Sequence, residues 1–163
     1  MSTGRFRIEP ATERDLSLIL RFVRELAAYE KLAHEVTATE EILRASLFGA
    51  HPAAEVVIAH ADAEPAGFAV YFQTFSTFLG RPGVYLEDLY VSPAWRGRGL
   101  GRRLLAHVAG VAVDRGCGRM EWSVLDWNEL ALDVYRKIGA QSMDEWTVQR
   151  LTGAALRDLA SSV

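Results

Sequence analysis

Apolar residues recur along this chain with two different periods, and the changes between them mark out its elements. Phe6 to Ile8 fits a short first strand. Leu16, Ile19, Leu20, Val23, Leu26 and Ala27 then keep the 3.6-residue spacing of a helix with one apolar stripe, opened by Thr12 as its cap, and that stripe needs a sheet to pack on. Thr37 with Glu40 three residues later forms a capping-box pattern ahead of Ile42, Leu43 and Leu47, which predicts a second helix stopped at Gly49. Val56 to Ala61 and Gly67 to Phe72 are apolar, β-branched and aromatic runs joined by Asp62-Ala63-Glu64-Pro65, the pattern of an antiparallel hairpin. Thr74 to Pro82 follows neither period and predicts a surface loop before the next strand.

That strand is Tyr85 to Val91. Beyond it Leu100, Leu104, Leu105, Val108, Ala109 and Ala112 mark one face of a helix reaching about Arg115, with Gly116 as its stop. Arg119 to Leu125 alternates, Met120, Trp122 and Val124 against Glu121 and Ser123, and so reads as a strand. Strand, helix, strand implies a right-handed crossover and a parallel pair. Asn128 caps the next helix, Glu129 suits its first turn, Arg136 and Lys137 its last, and Gly139 its end. Trp146 to Leu151 predicts a last strand and Ala154 to Ala160 a short terminal helix. No repeat, linker or low-complexity tract interrupts residues 1–163, so one α/β domain with a mixed sheet is expected.

The densest chemistry lies between the Tyr85 strand and the Leu100 helix, in Arg96-Gly97-Arg98-Gly99-Leu100-Gly101 followed by Arg102 and Arg103. Glycines at alternate positions let a ligand approach the backbone, and the first amides of the helix point outward and carry partial positive charge. With arginines at 96, 98, 102 and 103, the favoured anion is a diphosphate, the bland alternative being a glycine-rich turn with solvated arginines. The spacing excludes the P-loop, because Gly97 is followed five positions later by Arg102 with no Lys-Ser/Thr behind it. It also excludes the dinucleotide fingerprint, whose third glycine would fall at Arg102.

Composition narrows the field further. The 163 residues are 50% hydrophobic and 24% charged, ordinary for one self-sufficient core. A formal charge of -3 argues against broad nucleic-acid binding, which makes the arginine cluster a local device. The lone Cys117 excludes an internal disulfide and reads as a small core residue, and the four histidines show no metal-ligand spacing. Arg5, Arg7, Glu9, Glu13, Arg14 and Asp15 interrupt any signal-peptide core, and no apolar run approaches the roughly 20 residues of a membrane span, so a cytoplasmic location without membrane attachment is expected.

Arg96, Gly99 and Gly101 form an Arg-x-x-Gly-x-Gly loop that resembles the pyrophosphate-arm loop of the GCN5-related N-acetyltransferases. Together with Tyr85-Leu86-Glu87-Asp88-Leu89-Tyr90-Val91, Val124-Leu125-Asp126-Trp127-Asn128 and Tyr135-Arg136-Lys137-Ile138-Gly139-Ala140, it resembles the diamine (spermidine/spermine) acetyltransferases and their thialysine-acetylating relatives. Weaker echoes at Tyr29-Glu30 and Pro10-Ala11-Thr12 extend the similarity over nearly the whole chain. The resemblance implies the GNAT fold, a central, mostly antiparallel sheet whose parallel pair splays around an acetyl-CoA cleft. It implies that backbone at Leu89, Tyr90 and Val91 meets the pantetheine arm, that Arg96, Gly97, Arg98, Gly99, Leu100, Gly101 and Arg102 hold the pyrophosphate, and that Asn128 and Tyr135 complete the cofactor side. It further implies a cationic amine acceptor bounded by Tyr29, Glu30, Glu87, Glu121, Trp122 and Ser123, and a homodimer. Leu125-Asp126-Trp127-Asn128 is closer to the thialysine-type members, while the loop at Thr74 to Pro82 is this chain's own, which leaves polyamines, lysine-like amines and other small amines open as acceptors.

Acetyl transfer to an alkylammonium requires a proton acceptor, since presenting the amine neutral at pH 7 costs roughly 4 to 5 kcal/mol. Glu87, a carboxylate inside an otherwise apolar strand, is the candidate base. Asp88 should face the other side of the sheet unless a bulge re-aims one of them. The Tyr135 hydroxyl is the candidate acid for the leaving thiolate, and direct attack in a ternary complex needs no covalent enzyme species. Two other readings use the same residues: a non-catalytic acyl-CoA-binding module, and an acetyltransferase acting on protein amino groups.

Overall fold

The structure, a computed structural model, describes residues 5–163. By its internal contacts the chain forms two compact units, one reaching Leu125 and the other comprising Asp126–Val163. Among the described residues the first unit holds one five-stranded sheet, whose strands lie side by side in chain order: β1 (Phe6–Pro10), β2 (Glu55–Ala61), β3 (Glu64–Ser76), β4 (Arg81–Val91) and β5 (Met120–Trp122). β1 to β4 pair antiparallel, and β4 pairs parallel with β5, as the mixed-sheet expectation required.

The helices of this unit are α1 (Leu16–Tyr29), α2 (Glu40–Phe48) and α3 (Leu100–Asp114). Thr12 opens the first of them through a capping box with Asp15 and a short 3-10 turn. From α1, Ile19 and Phe22 pack on Val56, Ile58, Phe68, Val70 and Tyr90 of the sheet, with Leu43, Leu47 and Phe48 of α2 at the border. The alternating set Val57, Ala59, Ala69 and Tyr71 is buried as well, and α3 buries Leu100, Leu104, Leu105 and Val108 while packing on β3 and β4. Successive strand residues face opposite sides, so both faces of the sheet are covered. Phe68, fully buried between neighbours that cannot close up, is a position where truncation to Ala would cost about 3 to 5 kcal/mol.

Three local expectations change in this unit. The cap of α2 is Thr39, whose hydroxyl accepts from the Ile42 amide at 3.2 Å, and the carboxylate of Glu40 is instead bonded by the Ser17 hydroxyl at 2.6 Å. The expected loop at Thr74 to Pro82 is largely ladder, since β3 continues to Ser76 and β4 begins at Arg81. Its alternation is inverted there: Phe75 is 67% exposed and Ser76 only 5%, with the Ser76 hydroxyl accepting from the Leu79 amide, and hydropathy cannot read such a strand. β5 is confined to Met120–Trp122 within the expected 119–125 span.

The second unit contains α4 (Glu129–Lys137) and α5 (Gly153–Ala160). α4 begins and ends where its cap signals predicted, with Asn128 Oδ1 accepting from the Ala131 amide at 3.3 Å and Gly139 at φ +90° behind it. The strand expected at Trp146 to Leu151 does not form. Its side chains alternate suitably, yet its backbone enters no ladder, and a strand has no hydrogen bonds of its own without one.

Candidate active site

The candidate site features of the first unit are arranged along β4 and the loop that follows it. β5 accompanies it only at Val84, Tyr85 and Leu86, whose partners are Met120, Glu121 and Trp122, while β4 runs on to Val91. Beyond Leu86, therefore, one edge of β4 has no neighbouring strand among the described residues, although the Val91 carbonyl at its end is taken by the Arg96 side chain. This is the splayed parallel pair expected from the sequence.

The glycine loop follows at once. Gly97 and Gly99 take φ of +75° and +80°, where a side chain would be strained, and a Cβ built at either meets nothing within 4 Å, so the backbone there is open. Gly99 is the N-cap of α3, and no side chain caps that helix, which leaves the first-turn amides of Leu100, Gly101 and Arg102 without an intrahelical acceptor. An open, uncapped helix start attracts an anion through both its free donors and its dipole. The arginines wait on aromatic faces: Arg98 lies 4.9 Å from the Trp95 ring centre, Arg103 5.3 Å from Phe6, and Arg96 5.0 Å from Tyr29 and 5.6 Å from Tyr90. The Arg96 Nε also donates to the Val91 carbonyl at 2.8 Å.

On the α1 side of β4 lies a cleft of about 400 Å³, walled by Val23, Leu26, Ala27, Leu32, Val36, Thr37 and Ala38 and carrying four carboxylates, Glu30, Glu35, Glu87 and Asp88. Glu87 and Asp88 share it, so the alternation expected for a regular strand gives way to the other possibility, a bulge that re-aims one of them. The β3–β4 register places Val70 opposite Asp88 and Tyr71 opposite Leu86, so Glu87 is the extra residue of a β-bulge, and the bulge turns two consecutive carboxylates toward one face. Burial, reinforced by the charges of Glu87 and Glu30, pushes the Asp88 carboxyl up to about 6, and burial alone raises Glu30. Asp88 thus joins Glu87 and Glu30 in the candidate site. Two adjacent acids in one strand were visible in the sequence, and so was the possibility of a bulge, but not its position at Glu87.

Other expected acceptor residues lie elsewhere. Glu121 pairs with Arg119 at 3.4 Å, Trp122 is half-buried at the end of β5, and the Ser123 hydroxyl is 2.6 Å from that of Tyr85; none of the three lines the cleft. Tyr29, the last residue of α1, stands beside Glu30 with Arg96 over its ring. In the second unit, Asn128 spends its side-chain oxygen on the α4 cap and keeps its NH₂ as a donor, and Tyr135 is half-buried near the C-terminal end of the same helix. Cys117 is half-buried behind Gly116, less enclosed than a core residue.

The family model for the acetyltransferase (GNAT) family matches residues 20–140, a span that includes β4, the glycine loop, α3 and α4. This chain belongs to the GNAT acetyltransferase family. Among its relatives, a bovine (Bos taurus) thialysine N-epsilon-acetyltransferase is 43% identical over 94% of this chain and 96% of its own length. An L-ornithine N5-acetyltransferase of Arabidopsis thaliana is 31% identical over 93% of this chain and 86% of its own. A solved integron cassette protein from the mobile metagenome of V. cholerae superposes with a TM-score of 0.79 at 30% identity, covering 96% of this chain and 98% of that one. As a GNAT protein the chain takes acetyl-CoA as co-substrate. The open backbone at Gly97 and Gly99 and the uncapped α3 amides fit the diphosphate of that molecule. No cluster of three or more potential metal ligands occurs among the described residues, and no helix there is long and apolar enough to cross a membrane.

Proposed function

We propose that this chain transfers the acetyl group of acetyl-CoA directly to a primary amine of a small cationic metabolite, a lysine-like amine of the thialysine or ornithine type in preference to a polyamine. The observation that carries the reading is the build of β4. One strand turns two carboxylates into an acidic cleft on the α1 side, then runs on with no strand beside one of its edges, then delivers the chain to an uncapped glycine-rich helix start. Acceptor site and donor site therefore meet on a single element.

Bound acetyl-CoA would supply an activated acyl thioester; the remaining work falls to the chain. Amides from Gly97 to Arg102 hold the diphosphate, and the edge of Leu89 to Val91 aligns the arm. Glu30, Glu35 and Glu87 draw an ammonium group into the cleft, while its apolar wall suits a short alkyl chain. Asp88, close to neutral pH in its affinity for a proton, takes the ammonium proton with Glu87 beside it. Relative to an ordinary aspartate, lifting its pKa to about 6 removes about 3 kcal/mol from that uphill transfer. Tyr135 donates to the departing thiolate, and Asn128 steadies the arm through its NH₂ group. Names of the relatives support small amines over protein substrates.

A single acetyltransferase domain over 1–163 is supported by the family match, which runs through both compact units. We also propose a homodimer in the cytoplasm. The second unit exposes the large apolar side chains Trp146, Val148, Leu156 and Leu159, which supports association with a second copy. The test of function is thiol release from acetyl-CoA with thialysine, ornithine, lysine, spermidine and a lysine-containing peptide. Turnover is expected with the small amino acids at the highest kcat/KM. Preference for the peptide, or no turnover with any amine, rejects the proposal.

A further inference from the structure

We propose that Arg96 is a positioning residue of the acceptor site, a latch that fixes the end of α1 against β4, in addition to any part it plays beside the diphosphate. The inference rests on the functional reading above for what the latch serves, while the latch itself is a matter of geometry.

Arg96 leaves the Pro93–Trp95 turn in extended conformation and reaches back over the strand it follows. Its Nε–H is held by the Val91 carbonyl at 2.8 Å, and its guanidinium lies over two rings, Tyr29 at 5.0 Å and Tyr90 at 5.6 Å. Tyr90 is itself immobile. It is buried against Phe22 at 5.6 Å, and its hydroxyl donates to Glu25 Oε2 at 2.8 Å, with burial and that carboxylate pushing the phenol up to about 12. Glu25 and Tyr29 are four residues apart and so share one face of α1. The contacts close into a ring from Glu25 to Tyr90 to Arg96 to Tyr29 and back along one helical turn. Its planar guanidinium can stack and donate at once, which a lysine could not do.

The position of the latch gives it a function. Glu30, the next residue after Tyr29, carries the carboxylate that enters the cleft and raises Asp88. Here the helix is already ending, with the amides of Glu30, Lys31 and Leu32 bonded to the carbonyls of Leu26, Ala28 and Ala27 and Lys31 at φ +62°. A helix end frays unless something beyond the helix holds it. Arg96 supplies that hold from the donor-side loop, so the acceptor wall is set by the same residue that begins the diphosphate loop.

The test uses the full chain with Arg96→Met, which keeps the stem and removes charge and donors, Tyr29→Leu, and the double variant. Hydrogen exchange at the amides of residues 30–32 should quicken about two- to fivefold in each single variant, the size of an exposed cation–π contact, with no further increase in the double. Unchanged exchange in Arg96→Met, or full additivity in the double variant, overturns the latch, whether or not the protein turns over acetyl-CoA. The second readout compares donors with and without the diphosphate. The latch raises the acceptor KM of Arg96→Met about two- to fivefold with acetyl-CoA and equally with S-acetylpantetheine. An Arg96 that only binds phosphate leaves the S-acetylpantetheine reaction as in the parent, and that result also overturns the proposal. A parent with no transferase activity would reject the functional reading, and the exchange experiment would then decide the latch alone.

Discussion

Asp88 is the residue at which function and stability should oppose one another. Its carboxyl is carried from an ordinary 3.8 to about 6 on folding, first by burial and then by the charges of Glu87 and Glu30. The direction fixes the sign. Between about pH 4 and pH 6 the folded chain holds a proton at this position that the unfolded chain has lost, so folding stability declines as pH rises through that window. Above pH 6 the full penalty applies, about 3 kcal/mol as an upper figure, a large share of the 5 to 15 kcal/mol that holds a typical domain. Asp88→Asn removes the charge at nearly constant shape. We predict that the variant is more stable than the parent by about 1 to 3 kcal/mol at pH 7.5 and by almost nothing at pH 4, while its kcat/KM for amine falls at least tenfold. Urea unfolding at the two pH values, followed by fluorescence, measures the difference, because titrating groups that do not interact with Asp88 are common to both proteins and cancel, leaving Asp88 and its coupling to Glu87 and Glu30. A variant that loses stability equally at both pH values would refute the reasoning. Asp88 would then be a hydrogen-bonded structural residue, and the proton acceptor would have to be sought elsewhere.

Other expectations follow from the same geometry. Gly99→Val forces a β-branched residue to φ +80° at the start of α3, so acetyl-CoA affinity by calorimetry should weaken at least tenfold, and unchanged affinity would remove the loop from the donor site. Tyr135→Phe should lower kcat by roughly a hundredfold at unchanged acetyl-CoA affinity, and equal rates would remove this hydroxyl from the reaction. Arg115 holds Glu55 in a bidentate pair at 2.7 and 2.8 Å, tying the end of α3 to the start of β2, and its bonds draw the Glu55 carboxyl below the usual range. Both side chains are well exposed, so Arg115→Ala should cost no more than about 1 kcal/mol near pH 7, with the difference lost as pH falls through the lowered Glu55 titration and shrinking in high salt.

How much of the molecule could be read beforehand depends on the reach of the interactions concerned. Caps at Thr12 and Asn128, the stops at Gly116 and Gly139, and the glycine loop at residues 97–101 were legible because each is decided within a few residues of backbone. The parallel pairing of β4 with β5 followed as well, since a helical crossover leaves little choice. Phe75 and Ser76, by contrast, invert the burial their chemistry suggests, and Trp146 to Leu151 alternates like a strand without a ladder to join.

The sequence by itself determined that a strand, a glycine-rich turn and a helix start would succeed one another, and with them an anion cradle, since local sterics and unpaired amides suffice for that. Only the tertiary structure decided which acids face the acceptor. The bulge at Glu87 arises from the register between the consecutive strands β3 and β4, and it brings Glu87 to the face that Asp88 shares with Tyr90 and with Glu30. The charge of Asp88 responds to burial and to neighbours brought from α1, and the ring of contacts around Arg96 joins residues 25 to 96. Such couplings depend on distances that no local pattern encodes.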